Sequence, residues 1–301
     1  MASPTAPTHG KLAAIYRLRP NGFKGNGLND ATWGTGFAGA ASAYYEVVID
    51  GELAGGGGVD TFKWRKNGGG WTAGVDITGA AQTLDDGQKI TFAATVGHTA
   101  GDQWTIGNFK DEATTEAADE AQITDSDLRL LNPNATPTFT DDGGKNVLIV
   151  DHTRGKAAFD GNVGNVDVDG NNGFVVEGGL EKCGYLIDWE YAIDLEMADA
   201  SRMGQQWKEA LPGQAGGEGH ANGYFIAVDS FWDAFEDCAD TTQDYFLLQL
   251  FNYDPDQDQT GDHLLVWVSF KAFGAVGQKG EVVKERVEFV MHGIPSFVAN
   301  V

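Results

Sequence analysis

Apolar and polar positions alternate most regularly over 185–197. There Tyr185, Ile187, Trp189, Tyr191, Ile193, Leu195 and Met197 occupy every odd position, while Asp188, Glu190, Asp194 and Glu196 fall between them. A period of two places successive side chains on opposite faces, so the pattern predicts a strand with one packed face and one wet, acidic face. Thirteen residues at about 3.3 Å each would extend roughly 43 Å, longer than most strands. Four like charges in a row on one strand face repel each other and add nothing to stability by themselves.

Further strands are predicted at Val147–Asp151, 174–177, 245–253 (apolar on both faces, hence central), 263–273 and 282–291. One helix is predicted over 199–211, capped by Asp199 or Ser201 and stopped at Pro212-Gly213, with a short helical turn at 231–238. In the N-terminal third, short strands at 44–50, 62–66, 71–73, 89–95 and 103–106 are separated by glycine-rich turns. This spacing predicts a small β-sandwich, with Trp64, Trp71 and Trp104 as its expected core. The fold class is therefore mainly β with one flanking helix. The domains read as an N-terminal arm and lead-in at 1–35, a small β-sandwich at 36–110, an acidic Ala/Thr-rich linker at 111–122 and a larger β domain at 123–301.

Charge changes the picture. Acidic residues number 44 against 20 basic ones in 301, a net charge of −24. Two blocks hold most of the excess: 111–142, with nine acidic residues and one basic, and 229–262, with ten acidic residues and no Lys or Arg. Blocks of this kind usually form solvated surface. So acidic a chain is a poor binder of duplex nucleic acid, whose phosphates need a basic patch. Hydrophobic residues at 42% and aromatics at 11% exclude a disordered solvating chain, and no run of 18 apolar residues is present to span a membrane. The start, MASPTAPTHGKLAA, does not read as a secretory signal.

Candidate chemistry is sparse. Cys183 and Cys238 are too few to staple a scaffold of this length and read as reduced thiols. The six histidines lack metal-ligand spacing, and the HExxH, GxSxG and GxxxxGK[ST] patterns are absent. Asp167-Val-Asp169-Gly-Asn171 and Asp254-Pro-Asp256-Gln-Asp258 open like calcium loops. Both lack glycine at the sixth position and glutamate at the twelfth, so they read as Asx-rich turns. Asp188 and Glu190 beside Trp189 could line a sugar cleft, but nothing singles out a general acid. The expectation is no enzyme, no metal and no cofactor.

Two segments resemble known families. Phe62-x-Trp64, Gly69-Gly70-Trp71, Leu84-x-x-Gly87 and Gly97-His98-x-x-Gly101-Asp102-x-Trp104 resemble a small, Ig-like β-domain that recurs in structural proteins of tailed bacteriophages. From about residue 120 onward the chain is similar to phage tail tube (major tail) proteins. That likeness rests on Trp207-Lys208-Glu209-Ala210-Leu211, Gly223-Tyr224-Phe225, Val266-x-Val268-x-Phe270-Lys271-x-Phe273-Gly274 and Val287-x-Phe289-x-x-His292-Gly293-Ile294-Pro295. The individual motifs are short, and their order along the chain carries the likeness.

The resemblance implies a β-sandwich subunit with a flanking helix that forms stacked hexameric rings around a DNA-conducting lumen. Asp188, Glu190, Asp194 and Glu196 are then the lumen-facing candidates, since an acidic wall lets a phosphate polymer pass without sticking. The implied partners are other copies of the chain and the tape-measure, terminator and baseplate or tail-tip proteins. The implied location is the virion tail, assembled in the host cytoplasm. The 125–142 and 160–173 loops and the 297–301 tail become candidates for docking rings together. The N-terminal domain would decorate the outside of a long non-contractile tail, or bind host-surface sugars through Trp71. The alternatives are a β-sandwich that binds or hydrolyses carbohydrate, and another phage ring component such as a terminator or decoration protein.

Overall fold

The computed structural model describes residues 8–10, 12–52, 58–186, 188–199, 210–224, 245–251, 263–276 and 284–298. The chain divides into two compact units, one of residues 18–181 and one of residues 1–17 with 182–301. The first is thus an insertion in the second. Residues 123–181, expected with the C-terminal part, belong to the inserted unit, and the expected arm at 1–35 is split between the two.

In the 1–17/182–301 unit, eight strand segments form one antiparallel sheet. Its order is Thr8–Gly10, Asp188–Asp199, Ala210–Tyr224, Lys284–Val298, His263–Val276, Tyr245–Phe251, Leu12–Leu18 and Leu180–Leu186. Each end segment of this order is consecutive in sequence with the segment next to the opposite end. Only residue 11 separates Thr8–Gly10 from Leu12–Leu18, and only residue 187 separates Leu180–Leu186 from Asp188–Asp199. The ladder therefore returns to the chain stretch where it began, and the sheet wraps around one core. Ile15, Trp189, Ala221, Phe246, Leu248, Leu250, Val266, Val287 and Phe289 fill that core from six of the segments. Closure of this kind leaves few free edges.

The long strand expected over 185–197 is present as two segments on either side of Ile187, each pairing with different neighbours. The predicted helix over 199–211 has its interior, 200–209, outside the described residues. Asp199 ends one strand, and Ala210 and Leu211 begin the next. The turn expected at 231–238 lies outside the described residues, as do Cys238 and Asp254–Asp258 and the side chain of Cys183. Among the described residues the helical segments are four three-residue 3-10 turns.

The 210–224 stretch, rich in glycine and containing Pro212, has the composition of a loop. It forms a 15-residue strand because it is paired on both sides, with Asp188–Asp199 and with Lys284–Val298. Its glycines have a packing role. A Cβ at Gly219 would run into the Phe289 ring, and one at Gly217 would lie 3.0 Å from Met291 Cε. These positions lack side chains so that core residues of the neighbouring strand can lie across them.

In the 18–181 unit, a nine-stranded and a three-stranded antiparallel sheet hold two cores. The first core lies between the sheets in a β-sandwich and contains Tyr45, Val47, Phe62, Ile90, Phe92 and Trp104. It also takes in Phe23 and Ala31 from the expected lead-in. The second is built from Phe109, Ile123, Leu131, Phe159, Val168 and Phe174. One strand, Gln103–Ala117, serves both cores. Its first half pairs with Ala43–Gly51, and its second half lies between Glu120–Ile123 and Val166–Phe174.

The residues expected as a linker, 111–122, are therefore strand and hairpin. Acid and alanine lower the apolar signal there, but pairing on both sides satisfies the backbone. Asp111, at φ 45°, marks the change between the two halves. The segment Asp167–Asn171 sits within the strand Val166–Phe174 rather than in a turn.

Candidate functional site

The strand Asp188–Asp199 carries out the predicted division of faces wherever its side chains are described. Trp189 is buried in the core and Tyr191 packs against it, their rings stacked with centroids 5.7 Å apart. Glu190 points the other way. Asp188, Asp194 and Glu196 lie on the same strand at the same parity, but their side chains are outside the described set. Register then sets the row across the sheet: Glu190 lies opposite His220, which lies opposite Glu288. One step along, Ala192 lies opposite Glu218, and Glu218 opposite Val290.

The outer face is acidic and carries Lys271 and Arg286, with His220 beside Glu190. His220 Nε2 is 3.5 Å from Glu190 Oε2, and Arg286 Nη2 is 3.6 Å from Glu288 Oε1. Lys271 Nζ donates to both carboxylate oxygens of Glu218 at 3.1 and 3.2 Å. These six residues line a shallow groove across four strands. Exposed pairs of this kind each contribute about 0–1 kcal/mol. Glu190 thus has a cross-strand partner that the sequence pattern did not reveal, because strand register decides which residues face each other. At the other end of the sheet, Tyr245 meets His292 edge-on, and His292 Nε2 lies 2.7 Å from Ser269 Oγ. Partial desolvation lowers the His292 pKa from the ordinary 6.5, although the residue remains exposed.

The three tryptophans expected in the sandwich core separate. Trp104 is fully buried, and its Nε1 donates to Asn29 Oδ1. Trp64 is partly buried against the same core. Trp71 does not belong to the core. It is 39% exposed, with the Arg65 guanidinium 4.5 Å and the Lys63 ammonium 4.9 Å from its ring centroid. The short strand that follows, Thr72–Asp76, lies at the edge of the sheet, and four of its five residues are exposed.

The Gly97-His98-x-x-Gly101-Asp102-x-Trp104 pattern is architectural. Asp102 accepts the backbone N–H groups of Asn26, Gly27 and Thr99 at 3.0–3.2 Å. The His98 ring lies between Asp60 Oδ2 and Asp30 Oδ1, 3.0 Å from each. Together with the Trp104–Asn29 bond, these contacts fasten the 26–30 segment to the sandwich. Gly97 and Gly101, at φ 94° and 95°, allow the turns between them. Nothing in this constellation is open to a ligand.

Among the described residues no group of three or more His, Cys, Asp or Glu is arranged to hold a metal ion, and no helix is long and apolar enough to cross a membrane.

No family profile matches the chain, and no curated protein matches it. Among solved structures it is similar to a chain in the tail of an empty GTA particle, refined with C6 symmetry. The identity is 18% and the TM-score 0.32, over 41% of this chain and 89% of that one. It is also similar to a chain of the virion of a native gene transfer agent particle, at 18% identity and TM-score 0.31, over 41% of this chain and 92% of that one. Both likenesses span less than half of this chain.

Proposed function

We propose that this chain is a structural subunit of a phage-like tail tube, assembling as stacked hexameric rings around a lumen through which DNA passes. It is not an enzyme. The observation that carries this reading is the wrapped eight-segment sheet, whose apolar face is closed on itself and whose outer face carries the Glu190–His220–Glu288 row. Large side chains fill the interior of the sheet, so no channel runs through one subunit there. A lumen would have to be walled by the outer faces of several copies. The ordered tail tube motifs in the sequence support the same reading.

A wall for DNA must repel phosphate weakly and bind it nowhere, and carboxylates stitched by a few cations meet that need. The partners on this reading are further copies, the tape-measure protein, a terminator and the tail tip. The protein's place is the virion tail, after assembly in the host cytoplasm. The test is charge reversal: Asp188, Glu190, Asp194 and Glu196 changed together to Lys in an assembled particle. Tails should still form and DNA ejection should be impaired. Unaffected infection would show that this strand does not line the lumen.

A secondary role, weak binding of host-surface sugar, is proposed for Trp71, whose side chain is 39% exposed. Trp71→Ala should lower cell adsorption, and unchanged adsorption would remove this role.

A further inference from the structure

The sequence contains five Asn-Gly pairs: Asn21-Gly22, Asn26-Gly27, Asn67-Gly68, Asn172-Gly173 and Asn222-Gly223. In such a pair the glycine backbone nitrogen can attack the asparagine side-chain amide, because no side chain on the second residue blocks its approach. Attack needs a nitrogen that no acceptor holds and a backbone free to bring it to Cγ. Four of the pairs fail one requirement. The Gly22 N–H donates to Arg19 O, and the Gly27 N–H to Asp102 Oδ1, both at 3.1 Å. Asn172-Gly173 lies in the strand Val166–Phe174, where a Cβ on the buried Gly173 would stand 2.7 Å from the Phe109 ring. Asn222 is fixed in a strand paired on both sides, opposite Asp188 and Arg286.

Asn67-Gly68 meets both requirements. The pair forms the centre of the 66–69 turn, at φ 48° and 65°, between the strands Thr61–Lys66 and Thr72–Asp76. The Gly69 N–H closes the turn on Lys66 O at 2.9 Å, whereas the Gly68 N–H has no acceptor among the described residues. Residues 67–70 are all exposed, and three successive glycines follow Asn67. The amide itself is polarised for attack. The Tyr44 N–H donates to Asn67 Oδ1 at 2.8 Å, and this oxygen takes the negative charge when Cγ is attacked.

We propose that Asn67 is a self-modification site, converted by water to aspartate and isoaspartate through a succinimide formed with Gly68. The Gly68 nitrogen gives its proton to a base in solvent and bonds to Cγ. The Cγ–Nδ2 bond breaks, and the nitrogen leaves as ammonia with a proton from water. A second water then opens the ring. Cleavage at Cγ leaves aspartate, and cleavage at the main-chain carbonyl leaves isoaspartate, with no change of oxidation state. Isoaspartate routes the main chain through Cγ and lengthens the turn by one atom. Asn67 now clamps Tyr44 with two bonds, its N–H donating to Tyr44 O at 3.0 Å while its Oδ1 accepts. With Cγ in the main chain, Oδ1 is drawn from the Tyr44 N–H, and the tip of the hairpin that leads into Trp71 loosens.

The test incubates the full chain at pH 8 and 37 °C and follows each Asn-Gly pair by peptide mass spectrometry, with isoaspartate labelled by isoaspartyl methyltransferase. A sample unfolded in guanidinium gives the rate of each pair without structure. In the folded protein Asn67 should lose its amide several-fold faster than the other four asparagines, and more slowly at pH 6 than at pH 8. Gly68→Ala should slow the loss several-fold, with thermal unfolding checking that the variant folds. Equal rates at all five pairs in the folded protein would overturn the site. So would an Asn67 amide that stays intact over a time in which the unfolded chain reacts.

Discussion

At the scale of single residues, the two units are held by positions whose side chains, or lack of them, fit one neighbour. Gly219 leaves space for the Phe289 ring, so Gly219→Val should destabilise the wrapped sheet by about 1–3 kcal/mol through overpacking, read by thermal or denaturant unfolding. The tryptophans make a matched pair. Trp104→Ala removes a fully buried ring and should cost about 3–5 kcal/mol. Trp71→Ala loses two exposed cation–ring contacts and should cost no more than about 1–2 kcal/mol. Equal losses would show that Trp71 is part of the core after all.

His292 gives a pH dependence with a definite sign. Partial desolvation lowers its pKa in the folded state, so the unfolded chain binds the proton more readily. Its contribution is fully present above the ordinary value of 6.5 and is lost as pH falls from there through the lower folded value. Unfolding midpoints measured between pH 7.5 and 5 should therefore drop, and His292→Gln should flatten the drop. An equal slope in the variant would assign the effect elsewhere.

At the scale of elements, period two was the most legible signal. It separated buried Trp189 from outward Glu190 and placed Val266, Val268, Val287 and Phe289 in strands that the structure contains. Composition misled where pairing overrode it. The 210–224 strand hides behind glycine and Pro212, since its glycines serve the side chains of a strand distant in sequence. The 111–117 half-strand hides behind acid, because its stability comes from neighbours on both sides rather than from its own apolar residues. Domain bounds were illegible for a related reason: entry and exit of the inserted unit fall within strand segments, at residues 17/18 and 181/182, with no linker composition to mark them. The candidate face was legible as acidic, but the partners of its carboxylates were not. His220, Lys271 and Arg286 come from three other strands, and only register brings them to the carboxylates.

At the scale of the whole molecule, the dominant quantity is a charge of −24 on 301 residues. Copies that assemble must overcome that repulsion, and salt screens it, with a Debye length near 10 Å at 0.1 M and about 3 Å at 1 M. Self-association followed by light scattering should therefore rise between about 0.05 and 0.5 M salt. A fall would point to assembly driven by ion pairs instead. The central claim is that copies build a hollow, six-fold tube, and electron microscopy of the purified full-length protein at elevated salt tests it most directly. Hollow filaments or stacked six-fold rings are the predicted result, and a strict monomer at every salt and protein concentration would contradict it.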